Sequence, residues 1–164
     1  MTLGVLILTL VTLQRVGELW LSNRNTKRLL KRGAHEVAPS HYPLIVAVHV
    51  LWLASLWWLA PGQPVNFFWL GAYVLLQVAR IWVIRTLGER WTTRIIILPG
   101  APLVTGGPYR VMRHPNYLAV MGELAGFALM AHAVLTGPAS VLMFAWLITR
   151  RIRVEERALH VRSD

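Results

Sequence analysis

The chain has 164 residues, of which 55% are hydrophobic, and a net charge of +10 without a single cysteine. Apolar stretches approaching membrane-spanning length describe an integral membrane protein with one domain, residues 1–164. Disulfides, thiolate nucleophiles and cysteine metal sites are excluded, and the basic excess marks loops kept on the cytoplasmic side rather than a nucleic-acid partner.

The first apolar stretch, Leu3 to Leu21, is long enough to span, and no small-residue cleavage site follows it, which predicts an uncleaved helix. Arg24, Lys27, Arg28, Lys31 and Arg32 place its C-terminal end inside. A second span, Leu44 to Ala60, leads through the uncharged turn Pro61-Gly62-Gln63-Pro64 to a third, Val65 to Ile84. Arg85, Arg90 and Arg94 return the chain to the cytoplasmic face, where the segment through Asn116 is too polar and too rich in Gly and Pro to span.

A fourth span, Tyr117 to Leu135, Thr136-Gly137-Pro138 and a fifth apolar stretch through Thr149 predict a helical hairpin. The fifth stretch is short for a hydrocarbon core of ~30 Å, so either it is tilted or its polar end continues as a helix into the cytoplasm, which would set Arg150 to Arg162 beside the third-to-fourth loop. The expected fold is therefore all-α, with about five transmembrane helices, the N-terminus outside and the C-terminus inside. Residues 1–97 form the N-terminal spans and 98–164 the loop, hairpin and C-terminal helix. The eight tryptophans, largely near span ends, read as an interfacial belt.

Two carboxylates fall within the spans. Arg15 lies three residues before Glu18, and Arg80 is a further candidate neighbour, which favours a structural ion pair. Glu123 has no basic partner nearby in sequence; as an ionisable group in a span it is a candidate functional group, and the readings are that it faces a substrate cavity or that it bonds to another helix. His49 and His132 read as interhelical hydrogen-bonding residues. No His and carboxylate spacing supports a metal site, and no Gly-x-Gly-x-x-Gly turn supports a Rossmann cofactor site.

Polar chemistry concentrates in Gly106-Gly107-Pro108-Tyr109-Arg110-Val111-Met112-Arg113-His114-Pro115-Asn116-Tyr117 and in Arg150-Arg151-Ile152-Arg153-Val154-Glu155-Glu156-Arg157. Arg150 and Arg153 read as ordinary positive-inside residues. The order Leu103-Val104-Thr105-Gly106-Gly107-Pro108-Tyr109, Arg113-His114-Pro115-Asn116-Tyr117, a hydrophobic hairpin and Glu155-Glu156 resembles the isoprenylcysteine carboxyl methyltransferase family and its relative, phosphatidylethanolamine methyltransferase. The likeness covers Leu98 to Leu159; the stretch from Arg15 through His41-Tyr42-Pro43 also resembles bacterial members that O-methylate alkylpyrone or alkylresorcinol lipids.

That resemblance implies a methyltransferase of the bacterial inner membrane, with S-adenosylmethionine bound on the cytoplasmic side and a lipid-like or prenylated substrate entering from the bilayer. It assigns cofactor contacts to Leu103, Val104, Tyr109, His114, Pro115, Asn116 and Tyr117, a cofactor-binding carboxylate to Glu156 aided by Glu155, and a substrate-facing role to Arg151. The chemistry suits these roles: carboxylates offset a sulfonium and an ammonium, rings offer flat faces, and Arg113 and Arg151 suit an anionic oxygen. A carboxylate acceptor needs no base, whereas a phenol or enol must lose a proton, with His114 or Glu123 as candidates. Ala101 and Ala119 stand where the family often has histidine and glycine. The reading from another class is a small multi-span transporter that uses Glu18 or Glu123 as a proton or cation site.

Overall fold

A computed structural model of the protein describes residues 2–130 and 136–160. Among these residues five α-helices carry the fold: α1 (Leu3–Lys31), α2 (His41–Leu59), α3 (Phe67–Leu87), α4 (Pro115–Met130) and α5 (Thr136–His160). His132 and the predicted end of the fourth span at Leu135 lie outside the described residues.

Helix α1 starts on Thr2, whose hydroxyl accepts from the Val5 amide, and runs ten residues beyond the predicted end of its span. Its last three turns are amphipathic, with Ser22, Asn25, Thr26 and Leu29 buried on one face at helical spacing. It stops at Gly33, whose φ of +88° lets the Gly33 and Ala34 amides bond back to the carbonyls of Leu30 and Leu29. Within the apolar part, the Thr9 and Thr12 hydroxyls donate to the carbonyls four residues earlier, so neither is left unpaired toward lipid.

Helix α3 is capped by Asn66, whose side-chain oxygen accepts from the amides of Phe68 and Trp69. Helices α1 and α2, and α3 together with the turn that follows it, are long and apolar enough to cross a membrane, which makes this an integral membrane protein. Their outward Leu, Val, Phe and Trp side chains are exposed while Leu8, Val48, Trp52, Leu56 and Tyr73 join Val120, Leu124 and Phe127 of α4 and Phe144 of α5 in one core. Helices α3 and α4 cross closely, because a side-chain carbon on Gly122 would come within 2.8 Å of Leu76.

The chain is mostly helical, as expected, with one small strand pair beside the helices. His35–Glu36 (β1) and Ile96–Ile97 (β2) pair antiparallel, His35 opposite Ile97, and the Val37 amide continues the ladder to the Ile95 carbonyl at 2.9 Å. Strands this short carry no periodic signal, so the pairing rests on where α1 and α3 bring the two loops.

Candidate functional site

The segment between α3 and α4 is held from below by the first helix. Asn25 donates to the carbonyls of Gly88 and Trp91, at 3.2 and 2.9 Å, and the Ser22 hydroxyl accepts the Thr93 amide at 2.8 Å. Arg94 reaches both oxygens of Glu36 at 3.0 Å and lies 4.2 Å from the centre of the Tyr42 ring, so α2 and β1 grip the same stretch. Arg90 donates to the Pro102 carbonyl. The Ser22, Asn25, Thr26, Leu29 spacing was the sequence signal for this support, which reading the span alone overlooked.

Gly107 fixes the loop against α3. Its φ is +55°, and an added β-carbon would lie 2.5 Å from the Thr86 hydroxyl oxygen and 3.2 Å from the Trp82 ring nitrogen. The Thr86 hydroxyl donates to the Trp82 carbonyl at 2.8 Å, so turning it aside to make room would break that bond. Gly107→Ala is expected to cost about 1–3 kcal/mol through backbone strain and crowding, read as a lowered unfolding temperature in detergent. An unchanged unfolding temperature would show that the close approach is not maintained.

Helix α4 begins at Pro115, a residue whose missing amide hydrogen is harmless in a first turn. This places His114 at the mouth of the helix and Tyr117 one turn in. On α5, Arg151 and Glu155 are four residues apart and share a face. Arg151 Nε donates to the Tyr117 hydroxyl at 2.8 Å, and that hydroxyl donates to Glu155 Oε2 at 2.6 Å. His114 Nε2 lies 3.4 Å from Glu156 Oε1, while the His114 and Tyr117 rings stack with centres 5.6 Å apart. These contacts run α4 and α5 antiparallel.

The group is graded in exposure. Arg151 is buried, the Glu156 side chain is 42% exposed, and the Asn116 side-chain oxygen is buried without a hydrogen-bond partner among the described residues. Burial, with Glu155 as the lesser cause, pushes the Tyr109 hydroxyl up to about 12, so it stays protonated and able to donate. The site therefore offers two carboxylates, an unclaimed acceptor, two stacked rings and one buried guanidinium.

A second cluster lies deeper. Arg15 donates to Glu18 at 2.9 Å and to Glu123 at 2.6 Å; Arg80 donates to Glu18 at 2.6 and 2.7 Å and to Glu123 at 3.2 Å. Gln14 bridges Glu18 and Gln77 at 2.9 and 2.6 Å. The two arginines and two glutamates sum to zero charge and join α1, α3 and α4. The ion pair expected for Glu18 is present with both arginines. Glu123, partnerless in sequence, has two partners in space.

Of the residues singled out by sequence, His114, Tyr117, Arg151, Glu155 and Glu156 converge, with Pro115 and Asn116 beside them and Tyr109 within the field of Glu155. Leu103 and Arg113 are exposed and Val104 is half-buried; no contact among the described residues draws them into the group. Glu123 points into the charge cluster, about 12 Å of helix rise beyond Pro115.

Residues 69–161 match the Isoprenylcysteine carboxyl methyltransferase (ICMT) family. YpbQ of Bacillus subtilis, an uncharacterized protein, is 38% identical over 160 residues, 94% of this chain and 95% of its own. An uncharacterized protein of Haemophilus influenzae is 28% identical over 151 residues, 88% of each chain.

Proposed function

Since the chain belongs to the isoprenylcysteine carboxyl methyltransferase family, we propose that it transfers a methyl group from S-adenosylmethionine to an oxygen of a lipid at the membrane surface. The observation that carries the reading is the convergence of His114, Tyr117, Glu155 and the half-exposed Glu156 beside the buried Arg151, with the neighbouring Asn116 oxygen left without a partner among the described residues. These residues fit the cofactor, because the unpartnered Asn116 oxygen and the half-open Glu156 carboxylate can accept from its amine and ribose groups. When bound, S-adenosylmethionine supplies an electrophilic methyl group on a sulfonium.

The remaining work falls to the protein. Glu155 and Glu156 offset positive charge, and the stacked His114 and Tyr117 rings form a wall against which a planar or cationic group packs. Tyr117 holds Arg151 by its Nε and leaves the two terminal nitrogens to hold an acceptor oxygen in line with the methyl group. An acceptor carboxylate needs no base. For a phenol or enol, His114 is better placed than Glu123, which two arginines occupy.

The proposal includes five spans, α4 and α5 forming the last two, with the N-terminus outside and this site at the cytoplasmic face of a bacterial inner membrane. The acceptor class is a small isoprenoid or polyketide-like lipid. The transporter reading asks Glu18 or Glu123 to exchange a proton or cation, whereas each carboxylate is already neutralised by both arginines.

Calorimetry of S-adenosylmethionine on the detergent-purified protein tests this. Saturable binding is expected, weakened roughly tenfold or more by Glu156→Ala and by His114→Ala as charge-assisted contacts are lost. No binding by folded wild-type protein would remove the proposal. A labelled-methyl screen of prenylcysteines and phenolic lipids then identifies the acceptor.

A further inference from the structure

On the outer side of α5, away from the site above, a cavity of about 60 Å³ lies between the first turns of α2 and the last apolar turn of α5. Ser40, His41 and Arg150 line its outer end; Leu44, Ile45 and Trp146 line it one turn further in. Among the described residues, no carboxylate lines it. Arg150 sits 4.1 Å from the centre of the Trp146 ring, and both are exposed. Two helices thus present the same vertical order, basic or hydroxylic groups at the polar boundary and apolar groups beneath.

We propose that this groove binds an anionic phospholipid, its phosphate accepting from Arg150, His41 and Ser40 and its first chain carbons lying against Leu44, Ile45 and Trp146. Charge decides the head group: a rim that carries the Arg150 guanidinium and no carboxylate favours a net anion over a zwitterion, whose ammonium would find no anionic side chain there. Shape decides the tail, since the depth is lined by apolar carbon and one aromatic face suited to the interface. The site is separate from methyl transfer. Arg151, the next residue, turns about 100° around the helix toward Tyr117, so α5 shows one arginine to each side.

The test uses the full chain in nanodiscs of phosphatidylcholine with phosphatidylglycerol, followed by native mass spectrometry of the lipids retained after transfer to detergent. Preferential retention of phosphatidylglycerol is expected, lowered roughly fivefold by Arg150→Gln and largely kept by Arg150→Lys. Arg153→Gln, which removes an equal charge outside the groove, should leave retention unchanged. Equal retention of the two lipids, or equal losses for Arg150→Gln and Arg153→Gln, would overturn the site. Should Arg150→Gln fail to fold, His41→Gln replaces it with the same loss expected, and unaltered retention there overturns the proposal equally.

Discussion

Glu123→Ala is expected to destabilise the protein by about 3–5 kcal/mol, the largest effect of any single substitution considered. The carboxylate is fully buried, and its removal leaves Arg15 and Arg80 facing Glu18 alone, a net positive charge among apolar helices. Two arginines with one carboxylate cannot both be neutralised, and at side-chain exposures of 13% for Arg15 and 6% for Arg80 little solvent is at hand to offset the excess charge. Glu123→Gln keeps the shape and one acceptor, so its loss should be smaller. Converting Arg15, Glu18, Arg80 and Glu123 together to Met, Leu, Met and Leu removes the charges in balance and should recover most of the stability, as replacing a buried ion network by apolar groups can. Denaturation in mixed detergent micelles reads all three; a loss below about 1 kcal/mol for Glu123→Ala would mean that the cluster is hydrated rather than buried.

Arg151→Lys is expected to slow methyl transfer about a hundredfold, on the scale of a misplaced reacting group, while cofactor binding changes far less. Lysine keeps the charge but loses the fork. In the wild type, the Nε contact to the Tyr117 hydroxyl at 2.8 Å fixes the guanidinium plane, and Tyr117 is fixed in turn by Glu155 at 2.6 Å. An ammonium in this place can hold Tyr117 or an acceptor oxygen, but not both in one plane. Single-turnover transfer with saturating cofactor, beside calorimetric affinity, separates the two effects. Equal losses in both would make Arg151 part of the cofactor site, and no loss in either would remove its positioning role.

Much of this was legible in the sequence because membrane helices announce themselves locally. Runs of apolar residues set α1, α2 and α3, and the Arg113-His114-Pro115-Asn116-Tyr117 order with Glu155-Glu156 pointed to the surface where α4 meets α5. Arg15 and Glu18 could be paired because three residues place them on one helical face. The partners of Glu123 could not: Arg15 is 108 residues away, and only the crossing of three helices joins them. The same holds for the β1–β2 pairing and for Gly107, whose need for glycine comes from Thr86 and Trp82 on another element. The extension of α1 to Lys31 was hidden differently, since its positive charges read as a loop while the buried face between them carried the helix.

The grip of Asn25 and Ser22 on Gly88, Trp91 and Thr93 has a consequence for how the molecule is made. The segment between α3 and α4 is synthesised more than sixty residues after the arm on which it rests, so α1 is already made when that segment emerges. The matched region, residues 69–161, is on this account not a portable half. Its docking face is supplied by α1, and the nascent chain completes this contact only by folding back onto a helix made before it.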